Sequence, residues 1–185
     1  MRLEVFLENL GKANEGYMVG KYVRLPINEN DFEKVLEEIG IDNINYEEYF
    51  ITDVESDIDG MSKYIHEYTS IKTLNELAER LDNLSEADTI KFMAIIEAEL
   101  FNGLEHIIET LDDLENWELY YNVNNDEDLG YYFIDELCSL SIPENISPYF
   151  DYERYGRDVR LELNGTFTSY GFVNELYWTF LLCMV

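Results

Sequence analysis

Apolar and polar positions alternate at the start of the chain, which predicts a β-strand. The alternation over 3–7 is typical of a half-buried strand, and a second strand at 17–23 follows a turn of Gly, Lys and Asn residues. Pro26 ends this second strand, because proline cannot donate a hydrogen bond to a sheet. A third strand is predicted at 46–54.

A helical repeat of apolar residues lies between the second and third strands. Its apolar positions are Phe32, Val35, Leu36 and Ile39. Asn28 or Asn30 can cap the start of this helix, and Gly40 is typical of the residue that follows a helix. Residues 1–60 are therefore predicted to form an α+β domain.

The middle of the chain repeats apolar residues at helical spacing three times. One helix is predicted at 71–81, with Thr69 or Ser70 as its cap. A second helix, capped by Ser85, runs to about residue 100, and a third is predicted at 104–111.

The last third of the chain mixes both patterns. A half-buried strand is predicted at 117–123, and a helix at 126–140 carries acidic residues in its first turn. The segment Ser141–Glu144 fits a capping box with proline near the start of another helix.

A closing hairpin is predicted from strands at 159–163 and 166–173 around an Asn164–Gly165 turn. The fold class is therefore α+β, an elongated chain of three small modules with mixed antiparallel sheets and helices. A central helical domain at 61–103 and a C-terminal α+β domain at 104–185 follow the N-terminal one. Hydrophobic residues make up 46% of the 185 residues and aromatic residues 15%, which is enough to form hydrophobic cores.

Acidic residues greatly outnumber basic ones in this chain. There are 40 Asp and Glu against 12 Lys and Arg, which gives a formal net charge of −28. The stretch 92–153 contains no Lys or Arg, and its carboxylates are spaced between apolar residues, which predicts an acidic folded surface rather than a disordered tail. The candidate partner-binding carboxylates are Glu97, Glu99, Glu105, Glu109, Asp112, Asp113, Glu115, Glu118, Asp126, Glu127, Asp128, Asp135 and Glu136.

A folded surface of this kind resembles the charge of a DNA duplex. B-form DNA carries about one negative charge per 1.7 Å of its axis, so 28 charges would match roughly 48 Å, or about 14 base pairs. Such an acidic rod could occupy the basic groove of a DNA-binding protein, whereas nucleic acid and anionic membranes would repel it. The alternative interpretation is a halophilic or merely acidic protein.

Sequence motifs of catalysis do not occur in this chain. It has no GxSxG, Walker A or Rossmann glycine pattern, so we expect no enzyme and no cofactor. Asp112–Asp113 could hold a divalent metal, but neighbouring carboxylates in an acidic chain more often face water. The segment 55–60 resembles the start of an EF-hand loop, although His66 stands where that loop needs a glutamate. A metal-dependent enzyme or calcium protein is therefore the alternative from a different class.

Cysteine usage and hydropathy favour a reducing cytosol as the compartment. Cys138 and Cys183 are too few for a disulfide framework, and the N-terminus has no long apolar run that would predict a secretory signal. The stretch 176–185 is apolar, but a bilayer span needs about 20 residues, so a buried strand or an oligomer contact is the better interpretation.

Three segments together resemble the ArdA antirestriction proteins. Residues 5–26 (VFLENLGKANEGYMVGKYVRLP) resemble that family's first strand, turn and second strand. Residues 47–53, followed by 65–77 (IHEYTSIKTLNEL), resemble its passage into the second domain. Residues 147–168 (SPYFDYERYGRDVRLELNGTFT) resemble the segment that carries the family's Asp-Tyr-x-x-Tyr-Gly-Arg-Asp signature. The signature residues here are Asp151, Tyr152, Tyr155, Gly156, Arg157 and Asp158.

The resemblance implies an elongated acidic protein of three α+β domains that mimics bent B-form DNA, usually as a homodimer joined through its C-terminal part. Such proteins are encoded by plasmids, transposons and phages, and they act in the cytoplasm of the bacterial host. They occupy the DNA-binding site of type I restriction-modification enzymes and block restriction, often with modification. An inhibitor of another DNA-binding defence protein, such as a CRISPR effector, would show the same charge pattern.

The signature segment has two interpretations. In the first, a buried pair or a turn supports the predicted hairpin or the dimer, and Arg157 is a structural counter-charge. The residues involved would be Asp151, Tyr152, Arg157 and Asp158. They could instead contact the target directly.

Overall fold

A computed structural model describes residues 1–176, which contain seven α-helices and six β-strands. The chain divides into two compact units. The first unit comprises residues 1–84 and 101–112, and the second comprises residues 85–100 and the chain from 113 onward. The α+β fold class is confirmed, with two small antiparallel sheets. The division into three modules at other boundaries stays a prediction.

The sheet of the first unit has strand β1 (Leu3–Asn9) at its centre. Strands β2 (Gly20–Arg24) and β3 (Tyr49–Ser56) pair with it, both antiparallel. The alternation predicted for β1 is confirmed, because Leu3, Val5 and Leu7 are fully buried. Strand β2 begins three residues later than predicted, since a short helix occupies part of the intervening turn. That helix is α1 (Leu10–Asn14), and the Asn9 side chain caps it by accepting the Lys12 N–H.

Three longer helices complete the first unit. Helix α2 (Glu29–Glu38) begins at Asn28, whose side chain accepts the Asp31 N–H. Gly40 follows the helix with φ 81°, as the sequence predicts, and its N–H donates to the Glu37 carbonyl. The other two helices are α3 (Ile71–Asp82) and α5 (Leu104–Asp112).

Ser70 proves to be the cap of α3. Its hydroxyl accepts the Thr73 N–H, which satisfies a backbone donor at the helix start. The apolar repeat of α3 is buried as predicted, with Leu74 and Leu77 fully inaccessible. A 3₁₀ turn at Met61–Tyr64 lies between β3 and α3.

The sheet of the second unit has the order β4-β6-β5, and all its pairings are antiparallel. Its strands are β4 (Trp117–Tyr121), β5 (Thr166–Thr168) and β6 (Gly171–Glu175). Helix α4 (Glu86–Glu97), capped by Ser85, contacts β4 and β6. Helix α4 ends three residues earlier than predicted. A 3₁₀ turn at Leu114–Asn116 precedes β4.

The predicted helix at 126–140 is correct in its first part and too long at its end. Helix α6 (Asp126–Tyr131) continues as a π-helical turn, Tyr132–Glu136, in which the Leu137 N–H donates to the Tyr132 carbonyl five residues back. Cys138 then has φ 51°, a left-handed conformation that ends the helix.

No helix begins at Ser141–Glu144, so that prediction is wrong. The Pro143 carbonyl accepts the N–H groups of Ile146 and Ser147, which closes a turn rather than starting a helix. A 3₁₀ turn at Ser147–Tyr149 follows.

The predicted strand at 159–163 is also wrong, because this segment belongs to helix α7 (Tyr152–Leu163). Asn164 ends the helix with φ 51°, so the Asn164–Gly165 pair is a helix end rather than a hairpin turn. The hairpin exists, but it joins β5 to β6 instead. Helices α6 and α7 and strand β6 share one core, formed by Val123, Leu129, Phe133, Val159, Leu163 and Phe172.

Within residues 1–176, no helix is both long enough and apolar enough to cross a bilayer. Nearly all of the apolar C-terminal stretch lies outside the described residues, and so does Cys183. The prediction of a buried strand or an oligomer contact there stays a prediction.

Candidate functional site

Both units carry the same large excess of negative charge. The first unit has 22 acidic and 8 basic side chains, and the second has 18 and 4, so the formal net charge of each is −14. The basic residues of the second unit are Lys91, Arg154, Arg157 and Arg160. An acidic surface is therefore a property of each unit separately.

The candidate carboxylates are mostly exposed, as an acidic binding surface requires. Eleven of the thirteen are exposed, and Asp126 and Asp128 are half-buried. Glu105, Glu109 and Asp112 lie on α5 in the first unit. In the second unit, the first turn of α6 and the π-helical turn carry five of the others.

Three of these carboxylates are held by partners within their own unit. Asp112 pairs with the Arg80 guanidinium through two hydrogen bonds of 2.7 and 2.9 Å, and Arg80 keeps the pKa of the Asp112 carboxyl below its usual value. Glu97 accepts the backbone N–H of Ser169 at 2.7 Å, as well as its hydroxyl. Asp126 pairs with Arg160, at 2.7 and 3.3 Å. These three carboxylates stabilise the fold.

Eight other candidates are exposed, and their carboxylates form no hydrogen bond or ion pair with any residue of the described part of the chain. They are Glu105, Glu109, Asp113, Glu115, Glu118, Glu127, Asp135 and Glu136. Their charge is not neutralised by neighbouring cations, so it is available to a basic partner. We call these eight the free carboxylates.

Backbone groups, as well as Arg160, stabilise negative charge at the start of α6. The Asn125 side chain accepts the Asp128 N–H, and the Asp128 carboxylate in turn accepts the Asn124 N–H at 3.0 Å. The first turn holds three consecutive acidic residues, where the helix macrodipole favours negative charge. Arg160 neutralises Asp126, so it is for Glu127 and Asp128 that the helix start and the backbone groups stabilise negative charge without a lysine or arginine partner.

The signature segment forms the first half of α7. The Asp151 carboxylate accepts the Arg154 N–H at 2.9 Å and so caps the helix. Tyr152 is buried, and its ring stacks on Tyr131 of α6 with a centroid distance of 3.9 Å. The Tyr155 hydroxyl lies 3.0 Å from the hydroxyl of Ser139.

Two glycines allow α6 and α7 to cross with their backbones in contact. A Cβ atom on Gly156 would lie 1.8 Å from the carbonyl oxygen of Asp126. A Cβ atom on Gly130 would lie 2.1 Å from the carbonyl oxygen of Tyr152. Sequence reasoning missed Gly130, and a glycine inside an otherwise helical pattern was the available signal. These contacts give Gly156 a structural role.

The prediction of a buried pair involving Arg157 and Asp158 is wrong. Both side chains are exposed, and neither forms an ion pair among residues 1–176. The cation that stabilises this part of the fold is Arg160, one helical turn further on, through its pair with Asp126.

The segment that resembles an EF-hand start has other partners. Glu55 pairs with the Arg2 guanidinium, and Asp57 accepts the Arg2 backbone N–H at 2.8 Å. In the described part of the chain, no three His, Cys, Asp or Glu side chains lie close enough together to hold a metal ion.

Fold and charge define the class of this protein: an acidic α+β protein whose free carboxylates lie in a stretch without lysine or arginine. A model of the ArdA family, described as antirestriction protein, matches residues 5–174. The chain belongs to the ArdA antirestriction protein family. The resemblance of the three segments is thereby confirmed. A search of curated proteins found no match.

Proposed function

We propose that this protein mimics B-form DNA and occupies the DNA-binding site of a type I restriction-modification enzyme, which blocks restriction. The observation that carries the proposal is the set of free carboxylates in a stretch without lysine or arginine, within a protein of the antirestriction family. A DNA-binding groove presents lysine and arginine to phosphates, and the same groups would bind exposed carboxylates.

The driving force is release of counterions from both surfaces. A net charge of −14 on each unit attracts cations from solution, and the enzyme's basic groove attracts anions. Binding returns both to bulk solution, so affinity falls as the salt concentration rises. No step of this mechanism makes or breaks a covalent bond, so we propose an inhibitor rather than an enzyme.

We also propose that the protein acts as a homodimer in the bacterial cytoplasm. Two copies would present twice the charge, and therefore cover twice the length of the DNA-binding groove. The thirteen candidate carboxylates then contribute unequally, because Asp112, Asp126 and Glu97 already have partners in the fold.

A competition experiment tests this function. A type I enzyme is bound to a labelled duplex that contains its site, and the protein is titrated in at 50 and 200 mM salt, a range over which DNA-like contacts lose about 10³-fold or more in affinity. We expect stoichiometric displacement that weakens strongly at the higher salt. A folded protein that displaces no DNA would refute a type I target, and a pull-down from host lysate would then test other DNA-binding defence proteins.

Block substitutions locate the binding surface. Because exposed ion pairs contribute about 0.2–1 kcal/mol each, Asp113→Asn or Glu127→Gln alone should weaken displacement only about one- to fivefold. Four substitutions combined in one variant should weaken displacement by more than tenfold. They are Asp113→Asn, Glu115→Gln, Glu118→Gln and Glu127→Gln. A loss of that size from Asp113→Asn or Glu127→Gln alone would contradict a distributed surface.

A further inference from the structure

A cleft of about 290 Å³ opens on the second unit, between β4 and the end of α6. Tyrosine rings and carboxylates make up most of its wall. The rings are those of Tyr121, Tyr131 and Tyr132, and the carboxylates are those of Asp128, Asp135 and Glu136. Neither lysine nor arginine lines it.

Two of the three rings are held in place by other aromatic rings. Tyr131 stacks on Tyr152 at 3.9 Å, with 17° between the ring planes. Tyr132 packs edge-to-face with Tyr120 at 5.2 Å. Burial, with a smaller contribution from the nearby Glu118 carboxylate, raises the pKa of Tyr120 to about 12, so this supporting ring stays neutral at physiological pH. Tyr131 is still 43% exposed, and Tyr121 47%. Two rings of the cleft are therefore held by packing, while Tyr121 and Tyr131 are open to a ligand.

The carboxylates stand on the same elements as the rings. Asp135 and Glu136 belong to the π-helical turn that follows Tyr131, and they line the same cleft as Tyr131 and Tyr132. Both are exposed and belong to the free carboxylates defined above. Asp128 is fixed by its hydrogen bonds at the start of α6. The cleft thus combines tyrosines, two of which pack against other rings, with carboxylates that have no cationic partner among the described residues.

This combination selects a flat organic cation. The faces of tyrosine rings attract positive charge. A guanidinium stacks on aromatic rings and donates two parallel hydrogen bonds to a carboxylate, whereas the ammonium of lysine is a compact, strongly hydrated charge. The volume is at the low end for ligand sites, which suits one side chain rather than a cofactor.

We propose that this cleft binds an arginine side chain from the DNA-binding surface of the target enzyme. The proposal rests on the proposed function, because it is the enzyme's basic groove that supplies the arginine. It adds a shaped contact, with defined chemistry, to an otherwise distributed electrostatic surface.

The first experiment tests the cleft without the target enzyme. The full-length, ¹⁵N-labelled protein is titrated with Nα-acetyl-arginine amide and, as a neutral control of the same shape, Nα-acetyl-citrulline amide. We expect saturable shifts of the backbone amides of Tyr121 and of residues 131–136 with arginine, and none with citrulline. Shifts spread evenly over all acidic segments, or no saturable shift, would overturn the inference.

The second experiment tests the cleft in the complex, with a charge-matched control. Asp135→Asn/Glu136→Gln removes two charges from the cleft, whereas Glu144→Gln/Glu162→Gln removes two exposed charges from the same unit but outside it. In the competition experiment we expect the first pair to weaken displacement at least about fivefold more than the second. Tyr121→Leu, which keeps every charge, should weaken it as well.

The outcomes separate this inference from the proposed function. Equal weakening by both pairs, with displacement by the unsubstituted protein intact, refutes the cleft and leaves DNA mimicry standing. If the unsubstituted protein displaces no DNA, the proposed function fails, and the arginine titration alone decides whether the cleft binds guanidinium.

Discussion

Replacing Gly156 by alanine should destabilise the second unit, although alanine is the better helix former. The added Cβ would lie 1.8 Å from the Asp126 carbonyl oxygen, whereas ordinary van der Waals contact begins at 3.4 Å. The two helix backbones would therefore have to separate by about 1.6 Å, the difference between these distances. The atoms in the way belong to the backbone, so no side chain can rotate to relieve the clash.

The magnitude follows from two opposing contributions. Gly to Ala in a helix interior gains about 1 kcal/mol. Overpacking costs about 1–3 kcal/mol or more, and separating α6 from α7 also loosens the core around Val159 and Leu163. Because the clash is with backbone atoms, the cost should lie near the upper end of this range, about 3 kcal/mol, which leaves a net loss of about 2 kcal/mol in the free energy of unfolding, out of the usual 5–15 kcal/mol.

Urea unfolding followed by tryptophan fluorescence measures this loss, because the buried Trp117 belongs to β4 of the second unit. Gly103→Ala, in the first unit, is the control: its Cβ would meet only the flexible end of Glu105, at 3.7 Å, so it should leave the unfolding transition of the second unit unchanged. If Gly156→Ala unfolds at the same urea concentration as the unsubstituted protein, the close crossing of α6 and α7 is refuted.

Two further predictions concern single charged residues. Asp42 accepts three backbone N–H groups of the following turn, which hold the pKa of its carboxyl well below the usual value. The stabilisation from the ionised Asp42 carboxylate is therefore complete above the pKa of the unfolded state, about 4, and is lost as the pH falls through the pKa of the folded state. The Asp42→Asn variant should be less stable than the unsubstituted protein at pH 7, and this difference in stability should shrink below pH 4. Urea midpoints across this range test it, and a constant difference contradicts it. Arg160→Gln, which leaves the half-buried Asp126 unpaired, should cost about 1–3 kcal/mol, whereas Arg157→Gln should leave the urea midpoint unchanged. If Arg157→Gln weakens displacement of DNA, the exposed Arg157 contacts the target directly. If Arg157→Gln lowers the urea midpoint as much as Arg160→Gln does, the assignment of roles to the two arginines is wrong.

The helices with local signals could be predicted from the sequence, whereas α7 could not. Ser70 and Ser85 stand directly before clear apolar repeats, so both helix starts are readable. Val159, Leu161 and Leu163 alternate like a strand, but Leu161 is 66% exposed and only the other two are buried. The close approach of Gly156 to α6, which packs the helix in place, joins positions about 30 residues apart and is not visible in the local pattern.

The acidic surface could be predicted in outline but not residue by residue. The absence of lysine and arginine over 92–153 is visible in the sequence. Which carboxylates are free depends on pairs that join distant positions, such as Arg80 with Asp112 and Arg160 with Asp126. The cleft was missed for the same reason, because it forms only when β4 and α6 come together.

The acidic first turn of α6 has a consequence for the long-range electric field of the protein. Arg160 already cancels the charge of Asp126, and a further lysine beside Glu127 and Asp128 would cancel one more unit of charge for every approaching molecule. The start of a helix carries only a partial positive charge, balanced by an equal negative one at the helix end, so its effect fades within about a turn. The repulsion between Glu127 and Asp128 is therefore reduced at short range without a further loss of the long-range field. A diffusing basic protein experiences the charge of both residues before it touches the surface, which should favour fast capture of the target.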